Sequence, residues 1–253
     1  MFSLEAISKT YSGSTRKAVD SLDLAIGDGE IFGFLGPNGA GKTTTIRILT
    51  GVIAPDTGRV SIDDIDLGKE ALAAKARCGS VPDNPELWNR LKAREYLDFI
   101  GDVYGVATAE RRRRIAELAG RFAIDDVLGA SIGTFSRGMK QKLCVVGSLL
   151  HDPHNWILDE PMVGLDPQAS FDLKELMRER ATAGGCVFFS THVLEVAEKL
   201  CDRIGVISGG RLLFTGSLED LRALRAGAKE AGEAVRGESL ERLFLDLVEN
   251  GAS

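Results

Sequence analysis

Gly36, Pro37, Asn38, Gly39, Ala40, Gly41, Lys42, Thr43 and Thr44 follow the apolar run Ile31-Phe32-Gly33-Phe34-Leu35 and lead into Thr45-Ile46-Arg47-Ile48-Leu49. The spacing fits G-x-x-x-x-G-K-[ST], with a strand-like stretch before it and a helix-like one after it. Glycines here let successive backbone N–H groups turn inward around phosphate oxygens, and the positive end of the following helix adds to their pull. Lys42 offers an ammonium for the outer phosphates. Thr43 offers a hydroxyl of the kind Mg²⁺ takes, since that ion keeps most of its waters and accepts few protein oxygens. The stretch predicts binding of a nucleoside triphosphate.

Two further constellations give that nucleotide something to do. Trp156-Ile157-Leu158 ends in Asp159-Glu160. A carboxylate at the end of a buried strand beside a phosphate loop belongs with Mg²⁺, which is the role expected of Asp159. Glu160 then falls within reach of a water in line with the γ-phosphate, where it can orient that water and take its proton. The other constellation is Thr134-Phe135-Ser136-Arg137-Gly138-Met139-Lys140-Gln141-Lys142, which opens a helical run extending to Leu150. Ser136 suits an N-cap and Gly138 leaves the backbone open, so this helix start is a second possible anion site.

These groups need a scaffold, and the patterning supplies one. Residues 2–35 read as strands and turns, with Leu22, Leu24 and Ile26 alternating with polar neighbours. Pro55-Asp56-Thr57-Gly58 reads as a turn and Arg59–Asp63 as a short strand. From about 85 to 150 the period becomes helical: Tyr96, Phe99, Ile100 and Val103 share one face, as do Ile115, Leu118, Ala119 and Phe122. The run Arg111-Arg112-Arg113-Arg114 reads as a solvated face. Apolar strands at 155–158, 186–189 and 204–207 alternate with helices at 168–180 and 193–200, as in a parallel sheet covered on both faces. Asp166-Pro167 opens the first of these helices and Gly184 closes it; Ser208-Gly209-Gly210 makes a hairpin turn. Helices at 218–225 and 239–248 follow, and Leu240, Leu243, Phe244 and Leu247 form a stripe that packs on the body.

Bulk properties narrow the class. A 253-residue chain with 44% hydrophobic and 27% charged residues can bury a sizeable core, and a net charge of −6 gives no basic footprint for nucleic acid. No nucleic-acid partner is expected. Apolar runs fall short of the roughly 18 residues a membrane helix needs, so the chain is expected in the cytosol. The four cysteines, Cys78, Cys144, Cys186 and Cys201, are too scattered for a metal or redox motif and read as small buried hydrophobes.

In this order the motifs resemble those of the ATP-binding subunit of an ATP-binding-cassette (ABC) transporter, with Phe135-Ser136-Arg137-Gly138-Met139 matching the L-S-G-G-Q signature. The similarity spans residues 1–215. It implies an α/β fold: a P-loop NTPase core with a parallel sheet, an N-terminal antiparallel β subdomain and an inserted α-helical subdomain at about 85–150. An ATPase domain over 1–216 and a helical tail over 217–253 would follow. By resemblance Tyr11 stacks on adenine, residues 36–44 hold the phosphates, Gly164-Leu165-Asp166 links paired subunits, and His192 contacts the γ-phosphate. Ser136 and Gly138 would cap the ATP of a second ATP-binding subunit, a homodimer being the simpler form. Thr43, Asp159 and Asp83 are the expected Mg²⁺-side residues. Two positions depart from the pattern. Asp83 stands where most members have glutamine, which favours a contact through water, and Arg137 replaces a signature glycine, where it could meet a phosphate or point to solvent. Both departures resemble the export-type group serving antibiotics, lipids and polysaccharides, which implies a separate polytopic membrane permease and a peripheral place on the cytoplasmic side of the membrane. The alternative from another class is a soluble ABC-type ATPase of translation or repair.

Overall fold

The computed structural model describes residues 1–228 together with Phe244 and Leu247. In chain order the elements are β1 (Phe2–Thr10), β2 (Lys17–Ile26), β3 (Ile31–Leu35), α1 (Lys42–Leu49), β4 (Thr57–Ile62), β5 (Ile65–Asp66), α2 (Ala71–Ala76) and β6 (Cys78–Val81). The second half runs α3 (Ala93–Val103), α4 (Thr108–Arg121), α5 (Arg137–Ser148), β7 (Asn155–Asp159), α6 (Pro167–Thr182), β8 (Cys186–Thr191), α7 (Leu194–Leu200), β9 (Arg203–Ser208), β10 (Arg211–Gly216) and α8 (Leu218–Ala228).

Alternation along the strands builds two sheets and decides which faces meet. Strands β2-β1-β4-β5 form an antiparallel sheet whose inner side carries Phe2, Leu4, Leu22, Leu24, Ile26, Val60 and Ile62. The second sheet has the order β10-β9-β3-β8-β7-β6 and is parallel except for the edge strand β10. In β8, Cys186 and Phe188 point toward the antiparallel sheet while Val187 and Phe189 point the other way, because successive side chains leave opposite faces. Phe188 is the hinge of that contact: its ring lies 6.5 Å from Phe2, 6.0 Å from Phe32 and 5.4 Å from Phe34. Phe188→Ala should cost about 3–5 kcal/mol, read as a lowered midpoint in denaturant unfolding.

The opposite face carries α5, α6 and the helical insert around Trp156, Leu158, Val187 and Phe189. Trp156 buries its indole and still satisfies it, donating to Ser148 Oγ at 3.0 Å. Within the insert, Ile115, Ala119 and Phe122 point inward as the spacing predicts. The expected stripe on α3 splits: Tyr96 and Ile100 pack against the core beside the buried Ala93 and Leu97, whereas Phe99 and Val103 are exposed. Small residues at Ala93 and Gly101 let α3 lie close to its neighbours, turning the bulkier side chains outward. The arginine run divides as well. Arg112 and Arg113 are solvated, but Arg111 is buried against Asp102 at 2.7 Å, and Arg114 donates to Glu110 and to the Leu150 carbonyl, each at 2.7 Å. Two of the four arginines therefore pin α4 to α3 and to the end of α5.

Turn and cap residues act where the sequence puts them. Asp166 caps α6 by accepting from Ala169 N at 2.8 Å, Gly184 closes it at φ +89°, and Ser208-Gly209-Gly210 turns β9 into antiparallel β10. Three of the four cysteines are buried and Cys201 nearly so, all as free thiols; burial pushes Cys144 and Cys186 up to about 12. Phe244 and Leu247 pack with Leu218 against Leu35, Ala197, Ile204, Val206 and Leu221. Leu240 and Leu243 of the same stripe lie outside the described residues.

Candidate functional site

The phosphate loop leaves β3 at the carboxyl ends of the parallel strands, flanked by β8 and β9, which is where open α/β sheets bind ligands. Its glycines are required by crowding as much as by conformation. Gly41 has φ +116° and a Cβ on it would lie 2.5 Å from the Ala18 carbonyl; one on Gly36 would lie 2.5 Å from the Ile207 carbonyl. Gly210 N donates to Ala40 O at 2.8 Å, so the hairpin after β9 supports the loop from beneath. Pro37, Asn38 and Gly39 face solvent while Ala40 and Lys42 are buried. Lys42 Nζ donates to Gly36 O at 2.7 Å and lies 3.7 Å from Glu160 Oε1. Tyr11 is exposed, with its hydroxyl 3.3 Å from Thr44 Oγ1, beside the end of the loop.

Asp159 ends β7 and is almost wholly buried. Burial holds its carboxyl above the ordinary range, the hydroxyls of Ser190 and Thr43 act to lower it, and the charges of Asp83 and Glu160 raise it further. Ser190 is a residue the motifs did not single out. It donates to Asp159 Oδ1 at 2.6 Å and accepts from Glu160 N at 3.0 Å, so one hydroxyl fixes both carboxylate residues. Its only sequence signal is a hydroxyl pair, Ser190-Thr191, closing an otherwise apolar strand. Glu160 sits at φ +46°, a left-handed backbone that a non-glycine residue keeps only under such support. Its carboxylate spans two cations or potential cations, Lys42 on Oε1 and His192 Nδ1 at 3.0 Å on Oε2.

Ser136 caps α5, accepting from Met139 N at 3.2 Å. Gly138 packs against the Gly164 carbonyl with no room for a Cβ. The two departures meet: Arg137 Nη2 lies 3.4 Å from both Asp83 Oδ1 and the Asp83 carbonyl. Arg137 is thus solvent-exposed and turned to Asp83, with no bond to the phosphate loop among the described residues, and Asp83 has a cation of its own chain beside it. Among the described residues, no hydrogen bond or ion pair joins residues 135–139 to residues 36–44, whereas Lys42, Asp159, Glu160, Ser190 and His192 form one connected group.

Residues 19–163, more than half of the chain, match the family described as ABC transporter. This chain belongs to the ABC transporter family. It is 37% identical over 221 residues to the linearmycin resistance ATP-binding protein of Bacillus subtilis (strain 168), covering 87% of this chain and 70% of that one. It is also 37% identical over 223 residues to the Nod factor export ATP-binding protein I of Paraburkholderia xenovorans, covering 88% and 73% respectively. A solved ATP-binding subunit of an ABC transporter superposes with a TM-score of 0.89 at 32% identity, covering 98% of this chain and 99% of that structure. As an ABC ATP-binding subunit the chain binds and hydrolyses ATP, and the α/β cassette fold expected from its motifs is the fold observed.

Proposed function

We propose that this chain powers export through a separate membrane permease, two copies closing around two ATP molecules. The observation that carries it is the division of the site: each copy holds a phosphate-gripping half at Lys42 and a helix-start half at Ser136 and Gly138, and the halves of one copy make no bond with each other. A two-fold pairing brings each half to its complement. The export direction draws on the two relatives named for linearmycin resistance and Nod factor export.

In this reading Gly36, Asn38, Gly39, Ala40, Gly41, Lys42, Thr43 and Thr44 surround the triphosphate, Pro37 sets the turn without donating, and Tyr11 stacks on the base. The donor set also fits Mg²⁺: Thr43 offers a hydroxyl, and Asp159 is a buried carboxylate that has hydroxyl partners but no cation bonded to it among the described residues. Asp83 contributes charge from the same side. The bound ion would neutralise charge developing on the β- and γ-oxygens. Glu160 orients the attacking water and accepts its proton; His192, hydrogen-bonded to Glu160, holds the carboxylate's second oxygen and reports the γ-phosphate. Ser136 and Gly138 of the second copy cap that phosphate, so ATP favours the closed pair and hydrolysis releases it.

No helix among the described residues is long and apolar enough to cross a membrane. In this reading a membrane permease does the work in the membrane and this chain sits on its cytoplasmic side, in line with its likeness to an export ATP-binding protein. Trp88 and Phe99 meet edge to face at 5.1 Å and are 54% and 45% exposed, and Trp88 also meets Tyr96, on the same helix as Phe99, edge to face at 6.3 Å. Exposed aromatics grouped in this way suit a permease helix. Trp88→Ser with Phe99→Ser should leave basal ATPase activity within about twofold and cut co-purification of a multi-span membrane protein from native membranes by about tenfold or more. Undiminished co-purification would move the docking surface elsewhere.

A further inference from the structure

Gln141 is fully buried on α5, one turn after the signature residues Arg137 and Gly138 and on their face of the helix. Its Nε2 donates to the carbonyl of Pro161 at 3.4 Å, while its Oε1 has no hydrogen-bond partner among the described residues. An amide kept in an apolar core with half of its capacity unmet lowers stability relative to a methionine of the same length. What it gains is a grip on the residue that follows Glu160.

That grip matters because the Glu160-Pro161 turn is strained. Glu160 lies at φ +46°, and a residue before proline already disfavours helical backbone. Ser190 steadies the turn from one side by accepting from Glu160 N, and Gln141 steadies it from the other. Other contacts of α5 with the same loop are Gly138 against the Gly164 carbonyl, the stem of Arg137 beside Gly164, and Lys142 Nζ on Asp166 Oδ2 at 2.7 Å. The loop from 160 to 166 is seated on α5 through these contacts, and the one made by Gln141 falls on the residue next to Glu160.

We propose that Gln141 is a positioning residue for Glu160, tying the base of its own site to the helix start that caps the nucleotide held by the second copy. The proposal rests on the paired-site reading above. Capping at one ATP then adjusts the base at the other, which is positive coupling between the two sites.

Gln141→Met in the full chain keeps length and volume and removes the donor. Three quantities are measured: thermal unfolding, MgATP turnover against ATP concentration, and amide exchange at Glu160 and Val163 in the nucleotide-free protein. The expected result is an unchanged or raised melting temperature, faster exchange at both amides, kcat down about fivefold with KM within about twofold, and a Hill coefficient falling toward about 1. A fall in kcat that tracks a fall in melting temperature would mean a packing role only and overturn the proposal. Exchange and Hill coefficient both matching the unsubstituted chain overturn it too. If the unsubstituted chain turns over ATP without cooperativity, the paired-site reading fails, and faster exchange in the variant still supports the tie between Gln141 and the turn.

Discussion

Glu160→Gln is expected to leave ATP binding intact and to slow turnover by about 10² or more, the usual scale for losing a general base. The substitution is nearly isosteric, so the contact with His192 at 3.0 Å and the support of the turn by Ser190 survive. What disappears is the acceptor for the water's proton and one negative charge 3.7 Å from Lys42. Losing that charge frees the ammonium for phosphate, which holds or improves affinity. Binding without hydrolysis should therefore accumulate the closed pair: at saturating MgATP the variant sediments as a dimer, while the unsubstituted chain, which keeps emptying its sites, remains largely monomeric. Phosphate release and sedimentation read the two halves separately. Turnover near that of the unsubstituted chain removes Glu160 from the role of base, and a variant that stays monomeric with ATP bound removes the shared site.

The parts of this site legible in the sequence are those built from short, local patterns. The phosphate loop announces itself because glycine spacing and backbone approach are the same fact, seen in the structure as carbonyls 2.5 Å from where a Cβ would stand. Ser136 and Asp166 were equally legible, since a cap is a bond between residues three apart. Ser190 and Gln141 were not. Each acts across the fold, 30 and 20 residues from its partner in sequence, and a single hydroxyl or amide in an apolar run carries no spacing to read. The pairing of Asp83 with Arg137 is the same kind of case, two separate departures that become one contact only when β6 and α5 are brought together. The stripe on α3 misled for the opposite reason. Periodicity marks an apolar face, yet Ala93, Leu97 and Gly101 made the close-packed side, so Tyr96 and Ile100 sit at the edge of the core and Phe99 and Val103 are left exposed.

Lys42→Ala should weaken ATP binding by about 10²-fold or more, because the ammonium supplies charge-assisted bonds of about 1.5–3 kcal/mol each to the outer phosphates. The environment of Lys42 argues that the loss is larger than the bonds alone. With the lysine gone, the Glu160 carboxylate 3.7 Å away loses a cationic neighbour and faces the incoming triphosphate uncompensated. Two contributions are thus folded into one number, a missing attraction and a new repulsion, and the double variant Lys42→Ala with Glu160→Gln separates them: affinity measured by titration calorimetry should recover in part, by the share owed to repulsion. Loss of the fold is checked by melting, since Lys42 Nζ also donates to the Gly36 carbonyl at 2.7 Å and helps close the loop on itself. A single variant that melts like the unsubstituted chain and binds ATP within about threefold of it would show that the backbone cradle of residues 36–44 holds the triphosphate without the lysine, and the assignment of Lys42 would fall.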